Sequence, residues 1–309
     1  MEVTRLERIT DGPNHHAFPD IVRFRDRLFI TYRECPDGHG IFHTSQIVVL
    51  ASDDGRDWRE VHRVGIPGDR DARDPHFAVI NDQLFIYSGT WLAGPGREGL
   101  KDWPNISSYA LWSPDGLNWS PPHAIEGSRG YYFWRTASHN GRHYICAKDY
   151  RAMPGRRHAM MFASDDGLTW REVACFLPEI GDETAFRFDE KGAVTAIVRA
   201  TGYNGRICRA QPPYTEWQRT ELPFAIGGPM LTQVGGDLVV GARLIKKDVP
   251  PQTVLWRLEG ETLIEILRLP SGGDNSYPSF LELEPHRGLV AYYSSHEEGT
   301  HIYVAEVSY

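Results

Sequence analysis

The sequence has few cysteines, no long apolar run and no cluster of basic residues. Its four cysteines, Cys35, Cys146, Cys175 and Cys208, lie far apart and form no C-x-x-C pair, which argues against a zinc ribbon or a disulfide-rich scaffold. No stretch approaches the ~20 apolar residues of a membrane-spanning helix, and the opening MEVTRLERIT has no apolar signal core. We therefore expect a cytoplasmic protein with no membrane partner.

Charge and periodicity exclude further classes. The net charge is −8 without any basic run, whereas nucleic-acid binders carry a clustered basic face, so nucleic acid is not expected as a partner. The 3.6-residue periodicity of amphipathic helices is also missing, which argues against alternating strands and helices. With 41% hydrophobic residues and nine tryptophans, the chain can nevertheless bury a large core.

What the sequence does contain is a seven-residue motif, S-x-D-G-x-x-W, in three copies: SDDGRDW, SPDGLNW and SDDGLTW. Each copy follows an alternating apolar segment, which predicts a strand, a turn and a second strand. In such a turn the third residue, Asp54, Asp115 or Asp166, is expected to accept backbone N–H groups while the glycine takes a positive φ. Because SPDGLNW has one carboxylate, a calcium loop is excluded and the role is structural.

The motif copies belong to a longer repeat. A pair of short strands precedes each copy, and the same pair recurs three more times without the motif. These units open near Ala17, Asp74, Arg135, Thr184, Pro229 and Tyr277. Six four-stranded units predict an all-β six-bladed β-propeller. Since the last unit has only three strands, the N-terminal VTRLERI is expected to complete it, so that residues 1–309 form a single domain.

Ligands of propellers bind where the innermost strands converge, so polar residues at matching places in the six units are candidates. Charged groups there are costly to bury unless they are paired or solvated, which favours a ligand site. Trp134 either stacks on a sugar ring or packs in the core. The segment 90–105 is rich in Gly and Pro and is expected to form a rim over the channel. The candidates are His16, Asp20, Arg33, Arg73, Asp74, Trp134, Arg135, Glu183, Arg199, Arg243, Tyr277 and His296.

The three motif copies resemble a one-residue-shorter form of the Asp-box, or BNR repeat, of the sialidase superfamily. The segments RDPHF, GGPM, PSGGDNSYPS and YYSSHE are similar to those of bacterial sialidase-like proteins. This resemblance implies a propeller that hydrolyses a terminal acidic sugar from a glycan in an exo fashion. Glu183, Arg199, Arg243 and Tyr277 follow the family order, which implies a tyrosine nucleophile, a glutamate base and arginines that bind the substrate carboxylate.

The first blade departs from the family pattern. HHAFPDIV has Ala17 in place of an arginine, and FHTSQIVV lacks the acidic residue that precedes the first Asp-box. Arg33, Arg73 or Arg135 is expected to replace the arginine, and Asp20 or Asp74 the acid.

Three other functions stay open at this level: hydrolysis by a Glu183 and Asp74 carboxylate pair, a lyase or neutral-sugar hydrolase, and a non-catalytic glycan-binding propeller. The histidines His15, His16, His76 and His296 have no short metal-ligand spacing. We therefore expect no metal and no cofactor, and a carbohydrate as the partner.

Overall fold

The computed structural model describes residues 1–97 and 99–309, which form 24 strands, one 3₁₀ turn at Trp103–Asn105 and no α-helix. In chain order the strands are β1 (Glu2–Arg8), β2 (His15–Phe24), β3 (Arg27–Cys35), β4 (Gln46–Ser52), β5 (Arg59–Val64), β6 (Arg70–Ile80), β7 (Gln83–Leu92), β8 (Ser107–Ser113), β9 (His123–Ala124), β10 (Tyr131–His139), β11 (Arg142–Asp149), β12 (His158–Ser164), β13 (Arg171–Leu177), β14 (Gly181–Phe188), β15 (Val194–Ala200), β16 (Arg206–Ala210), β17 (Gln218–Glu221), β18 (Ala225–Val234), β19 (Asp237–Lys246), β20 (Val249–Glu259), β21 (Thr262–Arg268), β22 (Asn275–Glu284), β23 (Arg287–Ser294) and β24 (His301–Ser308).

The strands form six antiparallel sheets of four. Blades 1 to 5 are β2–β5, β6–β9, β10–β13, β14–β17 and β18–β21, and blade 6 has the order β22, β23, β24, β1. In blade 6 the N-terminal β1 pairs with β24, from Glu2 opposite Ser308 to Arg8 opposite Tyr303. The first strand of each blade contacts the first strands of both neighbours, which places these strands around the axis. The predicted six-bladed β-propeller, closed by the N-terminal strand, is confirmed.

Aromatic packing joins neighbouring blades at their outer parts. Between blades 2 and 3, Tyr87 of blade 2 lies edge-on to Trp170 of blade 3, and Phe133 of blade 3 packs against the same tryptophan. The Tyr87 hydroxyl donates a 2.7 Å hydrogen bond to the Gly167 carbonyl. Buried tyrosine hydroxyls need such partners. The motif turn of one blade therefore serves as a packing surface for the previous blade.

The three motif copies occupy the turns after the third strands β4, β8 and β12. In SDDGLTW, Asp166 Oδ1 accepts hydrogen bonds from the backbone N–H groups of Leu168 and Thr169 at 2.8 and 2.7 Å. These bonds, with the one from Thr169 strongest, hold the pKa of Asp166 at about 2. The corresponding bonds recur at Asp54 and Asp115. The motif aspartates are thus occupied by backbone and lie outside the central cavity described below.

Every innermost strand carries a bulge at the same height. Two residues of the inner strand lie opposite one residue of its partner, between Ala17 and Asp20 in β2 and at the matching place in the other five blades. In four blades the bulge is an X-Pro pair: Phe18-Pro19, Asp74-Pro75, Gly228-Pro229 and Tyr277-Pro278. Bulges accept proline, bend the strand and re-aim side chains.

Three of the bulge residues are strained. Phe18, Asp74 and Tyr277 adopt φ values of 61°, 45° and 51°, in the left-handed region that bulky residues rarely occupy. Such strain persists only where the surrounding structure enforces it, and it clusters at functional sites. The strained bulges therefore indicate a functional site at the end of the channel that they face.

In the described part of the chain no helix is long and apolar enough to cross a membrane.

Candidate active site

A cavity of about 540 Å³ opens at the end of the channel that the bulges face. This volume is within the usual range for small-molecule sites. Its lower part is formed by bulge residues, including Phe18, Asp74, Glu183 and Tyr277. The segment 90–105, expected from the sequence to form a rim, supplies Trp91, Gly99, Lys101 and Trp103 to the lining, while residue 98 of that segment lies outside the described residues.

The central contact of the cavity joins Tyr277 to Glu183. The Tyr277 hydroxyl donates a 2.5 Å hydrogen bond to Glu183 Oε1. The other carboxylate oxygen, Oε2, accepts hydrogen bonds from Arg199 Nη1 at 3.0 Å and from the Gly228 backbone N–H at 2.7 Å. Both oxygens of the carboxylate are therefore held by hydrogen bonds, and Oε1 is the one that faces the phenol.

The protonation states of this pair follow from its surroundings. Burial raises the pKa of Glu183, but the charges of Arg199 and Lys148 outweigh it and bring the pKa down to about 2. Burial raises the pKa of Tyr277 well above its usual value, and the charge of Glu183 raises it further. At neutral pH the pair consists of a carboxylate and a neutral phenol.

Gly228 makes this arrangement possible. It is in the left-handed region at φ 57°, and a Cβ atom there would lie 2.5 Å from the Tyr277 ring. Only glycine leaves room for the ring to lie against the backbone whose N–H group binds Glu183.

Arg199 and Arg243 both border this pair, Arg199 by its bond to Glu183 and Arg243 with its guanidinium 5.9 Å from the centre of the Tyr277 ring. A Cβ atom on Gly227 would be 3.9 Å from Arg199 Nη1 and 3.8 Å from Arg243 Cβ. Arg243 uses Nε and Nη2 to bind the Asn275 carbonyl and the Tyr293 hydroxyl, both at 2.7 Å. Among the described residues, Arg199 Nε and Nη2 and Arg243 Nη1 have no hydrogen-bond partner, so these donors are available to an anion.

Arg73 is the third predicted arginine in the cavity. Its guanidinium lies 5.0 Å from the centre of the Phe18 ring and donates to the carbonyls of His39 and Gly40. The neighbouring Ala17, where the sialidase pattern has an arginine, is completely buried.

Asp74 and Lys148 complete the base of the cavity. Asp74 Oδ2 accepts a 2.9 Å hydrogen bond from the Tyr132 hydroxyl and lies 3.6 Å from Lys148 Nζ. Lys148 Nζ is also 3.8 Å from Glu183 Oε1 and 3.8 Å from the centre of the Tyr132 ring. The lysine ammonium thus lies between the two carboxylates.

Sequence reasoning missed Lys148 and two further cavity groups, Asp182 and Arg157, which form an ion pair. A signal for Lys148 was present in the chain. It lies near the end of β11, as Arg199 and Arg243 lie near the ends of the second strands of their blades.

The cavity is positively charged although the protein is acidic. Six basic side chains and three carboxylates occur among the described lining residues, an excess of three positive charges, against a net charge of −8 for the chain. Such a local excess concentrates anionic ligands.

Asp20 and Arg135, both predicted at the site, lie instead deeper in the channel. Asp20 Oδ2 accepts the Phe77 backbone N–H at 2.8 Å, and its Oδ1 accepts the Ser279 hydroxyl at 2.5 Å and lies 3.4 Å from Arg135 Nη1. Arg135 also binds the Pro278 carbonyl. These contacts connect blades 1, 2, 3 and 6 and leave Asp20 no role at the cavity.

Arg33 and His16 are also occupied by structural contacts. Arg33 is completely buried and pairs with Asp71, its Nη2 lying 2.7 Å from Oδ1, while its other donors bind the carbonyls of Gly38 and Gly40. His16 lies 3.3 Å from Glu34 and stacks on His301. Neither side chain lines the cavity.

Trp134 and His296 lie outside the cavity as well. Trp134 is completely buried and packs edge-on against Tyr277 and His76, so it supports the nucleophile candidate from the core. His296 is hydrogen-bonded to Ser294 and packs at a tilt of 42° against the Tyr303 ring. Of the predicted residues, the structure brings together Tyr277, Glu183, Asp74, Arg73, Arg199 and Arg243.

Comparisons with known proteins bear on the fold. No protein-family model and no curated protein sequence matches the chain. A Dyadobacter fermentans protein of unknown function matches in structure with a TM-score of 0.84 at 21% identity, covering 99% of this chain and 98% of that one. Trypanosoma rangeli sialidase, in complex with the inhibitor DANA, matches with a TM-score of 0.73 at 12% identity over 95% of this chain and 55% of its own. A Hadza microbial sialidase matches with a TM-score of 0.71 at 16% identity over 95% of this chain and 66% of its own. This chain thus spans between half and two thirds of those sialidases, and it has a sialidase-like six-bladed β-propeller fold.

Proposed function

We propose that this protein is an exo-acting glycoside hydrolase that removes a terminal acidic sugar, with Tyr277 as nucleophile and Glu183 as its base. The observation that carries the proposal is the 2.5 Å hydrogen bond from the Tyr277 hydroxyl to Glu183 at the base of a cationic cavity. A nucleophile and a base within hydrogen-bond reach, with the base held by a third group, are the usual signature of covalent catalysis.

In the first step Tyr277 Oη attacks the anomeric carbon and transfers its proton to Glu183, while the glycosidic bond breaks. Asp74, which must carry a proton when this step begins, transfers it to the departing oxygen and becomes a carboxylate. In the second step water attacks the anomeric carbon, Asp74 takes a proton from it, and the Tyr277 oxygen recovers its proton from Glu183. Two displacements at one carbon retain the anomeric configuration.

Asp74 is assigned the acid role by the surroundings of the cavity carboxyls. Asp182 forms an ion pair with Arg157. Burial raises the pKa of Asp182, but the charges of Arg199, Arg157 and Lys148 outweigh burial and lower the pKa below its usual value, so Asp182 stays ionised. Asp74 has Oδ1 without a partner among the described residues, and its Oδ2 bond to Tyr132 orients it. A free, oriented oxygen suits proton transfer to a leaving group.

The anionic substrate also activates the base. Arg199 lowers the pKa of Glu183 while its charge faces that carboxylate. When a substrate carboxylate shares the guanidinium, less of its charge acts on Glu183, so the pKa of Glu183 rises and the group becomes a stronger base toward Tyr277. A neutral sugar lacks this effect, which favours acidic sugars in the chemical step as well as in binding.

The test is a panel of chromogenic glycosides with acidic sugars, both sialic and uronic, and neutral sugars. We expect turnover of at least one acidic glycoside, a loss of about 10³-fold in kcat for Tyr277→Phe, and wild-type rates for Tyr292→Phe. Tyr292 is the matched control because its hydroxyl donates to the Pro270 carbonyl, between β21 and β22, and its side chain does not line the cavity.

A second function has one supporting observation. Ala17 fills the place of a substrate arginine with a buried methyl group, as a glycan-binding propeller without catalysis would allow. Saturable binding of an acidic sugar with no turnover of any glycoside would favour this function over hydrolysis.

A further inference from the structure

Three side chains that could bind a metal ion lie at the edge of the cavity, which His39 also lines, at the junction of blades 1 and 6. They are His15 at the start of β2, Asp274 just before β22, and His39 in the loop after β3. We name them the His–His–Asp cluster. His15 is buried, whereas the side chains of Asp274 and His39 are 27% and 50% exposed. The cluster is accessible to an ion from solvent.

The three ligand atoms converge on one point. His15 Nε2 and His39 Nδ1 each lie 2.8 Å from the same carboxylate oxygen, Asp274 Oδ2. All three ligand atoms are within 4.8 Å of one another. A zinc ion with ligands at about 2.0–2.2 Å requires separations of about 3–3.5 Å. Small side-chain movements therefore suffice to enclose an ion.

The loop that carries His39 is held by two arginines, the buried Arg33 and the cavity-lining Arg73. Arg33 donates to the Gly38 and Gly40 carbonyls, at 3.0 and 2.9 Å. Arg73 donates to the carbonyls of His39 itself and Gly40, at 3.1 and 2.9 Å. These hydrogen bonds fix the backbone on both sides of the half-exposed histidine. Such preorganisation is what a binding site needs and an idle surface side chain does not.

The carboxylate is oriented as a metal ligand usually is. Asp274 Oδ1 accepts a 3.0 Å hydrogen bond from the Tyr293 hydroxyl, which leaves Oδ2 for the cluster. Outer contacts of this kind orient the ligands of metal sites. Arg243 lies 3.8 Å from Oδ1, so the carboxylate separates its charge from the position of the ion.

We propose that His15, His39 and Asp274 bind one divalent transition-metal ion of the zinc type. Two imidazoles and one carboxylate are a frequent ligand set for such ions and leave at least one coordination position for water or another oxygen ligand. No local sequence pattern predicts the site, because His15 and Asp274 lie far apart in the chain and meet only when the ring closes. The proposal does not depend on the hydrolase assignment.

The experiment is a calorimetric titration of chelator-treated, untagged protein with Zn²⁺. We expect one ion per chain and an affinity at least about 10–100-fold lower in His39→Ala, since even outer contacts contribute that much. His286→Ala is the matched control, because His286 is an exposed histidine in blade 6 outside the cluster, and it should bind as wild type does.

Asp274→Asn provides a second variant, read by the visible spectrum of bound Co²⁺, which reports the ligand set directly. His39 is exposed, so His39→Ala should melt at the wild-type temperature without metal and lose only the Zn²⁺-induced stabilisation. The proposal is overturned if Zn²⁺ does not bind stoichiometrically, or if His39→Ala binds it as tightly as the His286→Ala control. Glycoside turnover measured in the presence of chelator is read separately and tests the hydrolase proposal alone.

Discussion

The motif turns at the outer end of blades 1 to 3 and the bulges at the inner strands of all six blades are both repeated features, yet they differ in kind. The turns repeat in sequence and in bonding: Asp54, Asp115 and Asp166 make the same backbone contacts. The bulges repeat in backbone geometry but present Phe18, Asp74 and Tyr277 at equivalent places. A backbone position that repeats from blade to blade while its side chain varies supports a functional site, whereas a repeated side chain with the same bonds supports the fold.

The largest expected effect concerns the inner bulges. Tyr277→Phe and Glu183→Gln should each lower kcat on the acidic substrate by about 10³-fold, since each removes the proton transfer of the first step. Steady-state rates check this, and the double variant should be little worse than either single one because the two groups act together. Retained activity in both would remove the pair as catalysts.

The second-largest effect is expected at Asp20, which lies next to the bulge of β2 and supports the fold. Asp20→Ala should lower the free energy of unfolding by about 3–5 kcal/mol, because it leaves Arg135 buried without its carboxylate. Urea denaturation measures this, with the exposed Asp26→Ala as control. A loss below 1 kcal/mol would show that the channel tolerates the uncompensated charge.

Gly228→Ala tests the backbone of a bulge. The added Cβ atom would lie 2.5 Å from the Tyr277 ring and displace it, and a displacement of about 1 Å can cost about 100-fold in rate. Gly260→Ala is the control, since Gly260 has a similar positive φ of 58° but nothing within 4 Å of the added Cβ atom. Equal rates in both variants would contradict the packing argument.

The smallest effect belongs to the outer turns. Asp166→Asn should destabilise by about 1 kcal/mol, because the amide keeps an acceptor oxygen but loses the charge that strengthens the two backbone hydrogen bonds, and it should leave kcat unchanged. Because folding lowers the pKa of Asp166 to about 2, its stabilisation is present above the unfolded pKa of about 4 and is lost as the pH falls toward 2.

The difference in unfolding free energy between wild type and Asp166→Asn should therefore shrink between pH 5 and pH 2. Asp165→Asn, the adjacent aspartate without these backbone bonds, should show no such change. A large activity loss in Asp166→Asn would break the distinction between turns and bulges.

The sequence sufficed for features that are local. The motif turns, the strand pairs and the closure by β1 follow from short patterns and strand counting. Tyr277 and Glu183 were predicted from a resemblance to the sialidase order of functional residues, and their 2.5 Å contact is what the fold adds.

What could not be predicted depends on depth and on long-range contacts. Asp20 lies only two residues beyond Phe18, but each strand residue advances about 3.3 Å, which takes its side chain below the cavity. The loop of His39 is placed by Arg33 and Arg73, whose bonds to its carbonyls have no signature in local sequence.

The most direct test of the central claim is covalent trapping. The protein is incubated with a fluorinated glycosyl fluoride of the acidic sugar that it turns over fastest, in which the ring fluorine slows hydrolysis of the intermediate, and peptides are then analysed by mass spectrometry. The account predicts one sugar per chain on the peptide containing Tyr277, and none in Tyr277→Phe. Turnover of the parent glycoside with inverted configuration, or a sugar attached to another residue, would contradict it.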